Sequence, residues 1–509
     1  MKKLWTGLLG IWVGSLILRF WELDRFNVLV FDEIYFANYG FNYLKQIPFF
    51  DVHPPLGKYC IALGIWIQAH FMGGLESLKN ATEVAQLNAF AYRWANGLVG
   101  ATVPLLVGSI AYEITLKKRY AFLSSLFVAL DGLLLVESRY ALINVYLLGF
   151  GLLGVLTFFK SLNSQKTYLW AMVSGVFLGC CASVKWNGLG FWLGIVLLYG
   201  GAWALRYFKL WSDRAASHAN SDLKNSPEEN LLDPLKSPFS DISNSGENDF
   251  KNIETEGINP EPLPPQKTRT QPSTNPLESI LKIDRLNFAL NFGLVPFLVY
   301  RLLWIPHLQL NPDFTFLGMQ WQILHYHESI GNTTDAHPYC SAWYSWPWMA
   351  RPVGYYFQAI EKASQTLIFD VHAFGNPPLW WLSAVAIAAV TVQLFRHLLH
   401  WRSNRPVVPQ TVLLHSLLVS EFAANFLPWA KVSRCTYLYH YMGASLFAFM
   451  ALAWWVDNAS NQRDLSWRIV GTLAVAIIVL GFWYWLPIYL GLPLTREAFD
   501  GRMWWRSWY

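Results

Sequence analysis

Long apolar runs alternate with short polar breaks along this chain, and the runs are close to the ~20 residues that cross a bilayer as a helix. They fall at about 4–22, 95–113, 120–136, 140–159, 168–183, 187–206, 286–304, 379–395, 410–427, 437–455 and 468–486, which predicts about eleven spans. Lipid leaves no backbone amide a partner outside the chain, so these runs are expected as helices and the fold class as all-α and polytopic. Residues 56–72 are apolar too. They follow His53, Pro54 and Pro55 and are flanked by polar sequence, so they read as a helix lying along the membrane surface. Residues 212–283 break the pattern: rich in Ser, Asn, Pro, Glu and Lys and poor in aromatics, they read as a disordered insertion. The insertion separates an amino-terminal module, 1–211, from a carboxy-terminal module, 284–509, whose longest polar loop is 305–378.

Composition agrees with a chain solvated by lipid. Only 14% of the 509 residues are charged, against 54% hydrophobic, where a soluble protein carries about 25% charged residues. The 27 tryptophans suit interfacial belts. The net charge of +5 is small for the length and sits in short loops, which excludes a nucleic-acid-binding face. Five cysteines show no CxxC or Cys/His spacing, and Cys180 and Cys181 are adjacent inside an apolar run, so neither a structural disulfide nor zinc is expected. The start, MKKLWTGLLGIWVGSLILRF, has the basic flank of a signal peptide but no small-x-small cleavage site, and it reads as a retained first span.

Charge then sets the orientation. Lys2 and Lys3, Lys117 to Arg119, Lys160 and Lys166, and Arg396, Arg402 and Arg405 all fall on one side of an eleven-span chain, which the positive-inside rule makes cytoplasmic. The insertion shares that side. Residues 24–94, the turn from Glu137 to Arg139, the 305–378 loop and the 428–436 turn then face outward together.

Those outward segments hold most of the candidate chemistry. FDEIYFANYGFNYLKQIPFFDVHPPLGK puts adjacent acids, Asp32 and Glu33, ahead of Asp51, His53 and Lys58 among aromatics. Adjacent acids complement the positive end of a helix; a partly desolvated carboxylate at a membrane surface is also a tunable base. In DGLLLVESRYALIN, Arg139 lies near the outer end of a span, where an arginine is costly without an anion such as Glu137 or a lipid phosphate. SVKWNG puts Lys185 at another outer turn, where the positive-inside rule disfavours it. The long outer loop contributes His325, His327, His337, Trp343, Tyr344, Trp346 and Arg351. The His325-x-His327 pair suits one face of a strand rather than a helix, and with no fourth ligand evident the histidines read as hydrogen-bonding rather than metal-binding. LPWAKVSRCTYLYHY brings Lys431, Arg434 and His440 to the same surface.

Taken with GNPPLWW, these blocks resemble the protein O-mannosyltransferase family, membrane glycosyltransferases of the GT-C type that use a polyprenyl-phosphate sugar. The resemblance covers nearly the whole chain except 212–283. It implies that Asp32 is the catalytic acid of the DE pair, that Glu33 helps to place donor or acceptor, and that Arg139 contacts the lipid phosphate. Lys185, His337, Lys431 and Arg434 are candidates beside Arg139 for that phosphate. Asp51, His53, His325, His327, Trp343, Tyr344 and Trp346 are candidates for holding sugar or acceptor. Yeast and animal members carry a β-trefoil domain in the long outer loop, for which 305–378 leaves no room; Asn144 stands where many relatives have aspartate. The bacterial branch is the closer likeness.

The implied reaction moves a mannose-type sugar from polyprenyl phosphate to Ser or Thr hydroxyls of an acceptor protein at the outer face of the plasma membrane. It inverts the anomeric centre and needs no cofactor or obligatory divalent metal. A glycan or lipid acceptor, a polytopic lipid or sugar transporter and a non-catalytic subunit are the rival readings, and a second copy is a possible partner. A transporter would carry ionisable residues near the bilayer midplane, whereas here the charges collect at the outer ends.

Overall fold

The computed structural model describes residues 2–224, 275–331, 337–362, 365–403 and 405–509. Among them, eight helices are long and apolar enough to cross a membrane: Ala89–Thr115, Asn144–Asn163, Thr167–Val184, Trp186–Trp211, Arg285–Leu310, Pro377–Arg402, Pro409–Lys431 and Leu465–Leu490. The other three expected runs are also helical, each with a difference. The first is the shorter Leu4–Phe20 segment of the Lys2–Phe20 helix. The 120–136 run is broken into Lys118–Ala129 and Gly132–Glu137. The break falls at Asp131, whose carboxylate accepts from the Leu134 N–H (3.0 Å) and from Trp380 Nε1 (2.7 Å). The last, Met442–Ser460, is enclosed by protein along most of its length.

Packing follows the apolar faces. Ala89–Thr115 lies at the centre of the first half, against Lys2–Phe20, Leu56–Phe71, Lys118–Ala129 and Asn144–Asn163. Met442–Ser460 joins the halves by packing on Lys118–Ala129, Pro377–Arg402, Pro409–Phe426 and Leu465–Leu490. A helix apolar on every side belongs in such an interior. The Leu56–Phe71 helix buries one face and exposes Leu63, Trp66 and Phe71 on the other, as a helix at the membrane interface does. The expected insertion narrows at both ends. The Leu189–Lys224 helix runs through its first residues, and Leu277, Ile280 and Ile283 are buried at its end. The rest of 212–283 lies outside the described residues.

Two features of the loops expected to face outward depart from the sequence reading. The 305–378 loop contains an antiparallel hairpin, β1 (Val353–Lys362) and β2 (Gln365–Ala373), to which β3 (Leu494–Thr495) adds on the β2 side. The expectation of no structural disulfide is overturned: Cys340 and Cys435 are bridged, with Cα atoms 5.2 Å apart. Their 95-residue separation hides the pair in sequence. Backbone bonds flank the bridge, Ser341 N–H to Thr436 C=O and Cys435 N–H to Gly331 C=O, each at 2.8 Å. Cys60, Cys180 and Cys181 are free. Denatured but unreduced protein is therefore expected to alkylate at three of its five cysteines, and at all five after reduction, as read by intact mass.

Candidate active site

The Glu33–Lys45 helix begins at a pair of acids with opposite fates. Glu33 is fully buried. Its carboxylate accepts from Arg93 Nε (2.8 Å) and Nη2 (2.6 Å), and from the N–H groups of Val30 (2.9 Å) and Ala141 (2.7 Å). Arg93 spends its remaining hydrogens on the carbonyls of Leu23 (3.2 Å), Phe26 (2.8 Å) and Val28 (2.8 Å). Asp32 is the N-cap residue yet makes no capping bond. Its half-buried carboxylate has no hydrogen-bond partner among the described residues. Burial pushes that carboxyl up to about 6; the Lys185 charge opposes the rise and the Asp51 charge reinforces it.

A cavity of about 670 Å³ opens between the 52–53 segment, the Trp186–Trp211 span, the Phe316–Ser329 helix and the 428–434 turn; Asp32 is not in its lining but feels the charge of Lys185, which is. The polar lining holds His53, Lys185, His327, Glu328, Lys431 and Arg434; Leu189, Trp192 and Leu193 of the span form an apolar wall. Gly190 lies against Asn425 Oδ1, and a Cβ there would collide with that amide on the cavity wall. Lys185 is nearly buried, its ammonium 5.3 Å from the centre of the Tyr439 ring. Burial lowers Lys185 to about 8, with Arg434 adding to the fall and Asp32, Glu137 and Asp51 resisting it. Burial, together with nearby cations, also holds His53 well below its usual value and His327 at about 4. At neutral pH the site therefore offers two buried or half-buried cations, Lys185 and Arg434, and two neutral imidazoles.

The remaining expected residues fall around this centre or away from it. Asp51 forms a buried ion pair with Lys58, which also donates to the His53 carbonyl (2.6 Å), so the pair shapes the segment that presents His53. His325 and His327 lie on a helix, Phe316–Ser329, rather than on a strand. His327 bonds the Val52 carbonyl (3.2 Å), while His325 is exposed and turns back to the Trp321 carbonyl (2.9 Å). Arg139 does not line the cavity. Its guanidinium caps the end of the first helix, donating to the carbonyls of Leu18 (2.9 Å), Arg19 (3.0 Å), Trp21 (2.8 Å) and Glu22 (3.2 Å). His337 packs its ring 5.2 Å from Tyr437, next to the disulfide turn. Trp343 and Tyr344 line a separate apolar hollow, and buried Trp346 lies 6.0 Å from the His440 ring. Sequence reading left out Arg93, Trp186, Asn187 and Asn425. SVKWNG contains two of them, but nothing in the sequence distinguishes Arg93 or Asn425 from other polar residues at helix positions.

A helical bundle with a free carboxylate within electrostatic reach of a partly apolar cavity that holds Lys185 and Arg434 suits an integral-membrane glycosyltransferase, and the comparisons agree. The family model described as dolichyl-phosphate-mannose-protein mannosyltransferase matches residues 11–221, and that for the C-terminal four-span region of protein-O-mannosyltransferase matches 314–508. The chain belongs to the protein O-mannosyltransferase family. It is 22% identical to the polyprenol-phosphate-mannose–protein mannosyltransferase of Mycolicibacterium smegmatis, across 94% of this chain and 87% of that one. It is 31% identical to dolichyl-phosphate-mannose–protein mannosyltransferase 6 of Saccharomyces cerevisiae, across 41% of this chain and 28% of that one. Its fold matches a chain of the S. cerevisiae Pmt1-Pmt2 complex bound to the sugar donor, with a TM-score of 0.72, 15% identity, and coverage of 100% and 93% of the two chains.

The opposite settings of the two acids give opposite stabilities. Glu33→Gln leaves Arg93 buried without its anion and is expected to cost about 3–5 kcal/mol, read as a lower apparent unfolding midpoint in detergent. Asp32→Asn is expected to keep or raise that midpoint at pH 7. A carboxyl whose folded pKa is raised loses stability as pH climbs through that value, so removing its charge removes the penalty.

Proposed function

We propose that this protein transfers a mannose-type sugar from a polyprenyl-phosphate donor to Ser or Thr hydroxyls of proteins, at the outer face of the cell membrane. One observation carries the reading: the carboxylate of Asp32, free of hydrogen bonds among the described residues, feels the charge of Lys185, which joins Arg434 in a cavity that also has an apolar wall, the complement of a lipid phosphate. The names of the mycobacterial and yeast relatives support the same donor and acceptor classes. Two observations support the outward side. The basic clusters, Lys117 to Arg119, Lys160 and Lys166, lie at helix ends remote from Asp32. The site also carries the Cys340–Cys435 bridge, which forms and persists in oxidising compartments.

The chemistry follows from the charges. The acceptor oxygen attacks the anomeric carbon on the face opposite the phosphate, Asp32 takes the hydroxyl proton, and the bond from that carbon to the phosphate oxygen breaks with its electron pair leaving on polyprenyl phosphate. Lys185 and Arg434 stabilise the charge gathering on the phosphate, and their contribution is strengthened by partial exclusion of water. A monophosphate matched by two cations needs no divalent metal. His53 and His327, both neutral, hydrogen-bond the sugar or phosphate without adding charge, and Glu33 fixes the direction of Asp32.

Asp32→Asn is expected to lower kcat by roughly 100- to 10,000-fold while donor binding is retained, and chelators are expected to leave the rate unchanged. The assay is transfer of labelled mannose from polyprenyl-phosphate mannose to a Ser/Thr peptide. In the parent enzyme the base must be ionised and Lys185 must be charged. Accordingly kcat/KM rises with pH through about 6 and falls above about 8. Donor binding without transfer to any peptide would move the acceptor to a glycan or lipid.

A further inference from the structure

The residue just before Asp32 is held in an uncommon conformation. Phe31 has φ +52°, a left-handed backbone that a bulky side chain adopts only when its surroundings compel it. Two rings enclose it. Tyr355 stacks on Phe31 at 4.4 Å between centroids and 12° between planes, and Tyr439 meets it edge-on at 6.3 Å. Tyr439 is also the ring beneath Lys185, so one aromatic cluster touches the neighbour of the base and the cation of the phosphate site.

Tyr355 reaches that position through a break in strand register. Gly354 pairs with His372 and Tyr356 with Val371, so Tyr355 is the extra residue of a β-bulge. Successive side chains of a regular strand point to opposite faces; a bulge re-aims them, and bulges recur next to active sites. Here consecutive tyrosines both grip the segment ahead of Asp32, Tyr355 on Phe31 and Tyr356 on Phe26, the latter stacked at 4.0 Å. Tyr355 is buried, and its hydroxyl donates a short hydrogen bond to the Glu137 carboxylate. The other oxygen of Glu137 accepts from Asn144 Nδ2 (3.1 Å). Glu137 is thus a buried anchor, and burial pushes its carboxyl up to about 7.

We propose that the outer hairpin is a positioning element for the transfer reaction: Tyr355, delivered by the β-bulge and anchored by Glu137, clamps Phe31 in its left-handed conformation and so sets the direction of the Asp32 carboxylate. Tyr355 and Glu137 are positioning residues that act through Phe31. The inference rests on Asp32 being the base of the proposed reaction. It also gives the hairpin a role in the chemistry although its strands lie outside the membrane-spanning bundle.

The test is steady-state transfer by the full-length protein in proteoliposomes with polyprenyl-phosphate mannose and a Ser/Thr peptide. Tyr355→Leu, which removes the stack, is expected to lower kcat roughly 10- to 100-fold with donor KM within about twofold of the parent. Tyr355→Phe, which keeps the stack and drops the hydroxyl, recovers part of that loss. Glu137→Ala also lowers kcat, because it takes away the acceptor of the Tyr355 hydroxyl, and the double variant with Tyr355→Phe is no worse than Glu137→Ala alone, because both remove the same anchor. A parental kcat in Tyr355→Leu, or a rise in donor KM as large as the fall in kcat, overturns the proposal. If Tyr355→Leu does not fold, Tyr355→Phe and Glu137→Ala decide: non-additive losses uphold the clamp, and additive losses or none overturn it. A parent enzyme that transfers no mannose at all overturns the functional reading itself, which separates that failure from failure of the clamp alone.

Discussion

The buried pair between Glu33 and Arg93 is the constraint on which the site depends. A charge that far from water survives only with a partner and a full set of hydrogen bonds, and both residues have them. Arg93 rises from the central Ala89–Thr115 helix and gathers three carbonyls of the 23–28 segment together with the Glu33 carboxylate. Glu33 closes the knot on the N–H of Ala141, within the RYALIN stretch. Three segments distant in sequence are thereby held at one point. Asp32 projects from the same helix start, and because adjacent residues of a helix point about 100° apart, it escapes the knot and keeps its carboxylate free. A rigid neighbour holds the base in place without using up its lone pairs.

How far the sequence carried this account follows from the kind of force involved. The spans were legible because membrane burial demands about 20 apolar residues in a row, a local signal. The Asp32–Glu33 pair, Lys185 and Arg434 were legible as polar residues at the ends of apolar runs, where lipid disfavours them. Their division of labour was not: whether Asp32 or Glu33 meets an arginine depends on Arg93, sixty residues away. Arg139 shows the same limit. An arginine in an outer turn reads as an anion ligand, yet the unsatisfied carbonyls at the end of the first helix are also acceptors, and they take it. The disulfide was hidden because it is made by long-range pairing; the hairpin is local, Lys362 pairing with Gln365, but lies in a loop whose polar residues drew the reading. Cys340 and Cys435 lie 95 residues apart, and only the packing of the 305–378 loop on the 428–436 turn brings them together.

The two halves of the chain supply different parts of the site. The first half contributes Asp32, His53 and Lys185; the second contributes His327 from the Phe316–Ser329 helix and Arg434 from a turn pinned by the Cys340–Cys435 bridge. Met442–Ser460, packed into both halves, keeps them in register. The two buried or half-buried cations, Lys185 and Arg434, thus come from different halves, and the space between Asp32 and Arg434 is set by the bundle rather than by any one loop. Such an arrangement suits an in-line displacement, in which nucleophile and leaving group must stand on opposite sides of one carbon.

The measurement that tests this central claim most directly is the anomeric configuration of the product, read by NMR on peptide glycosylated from a β-linked polyprenyl-phosphate mannose. A single displacement with Asp32 as base gives the α-mannoside. A β-mannoside would mean a double displacement through a covalent intermediate, and would contradict the role assigned to Asp32.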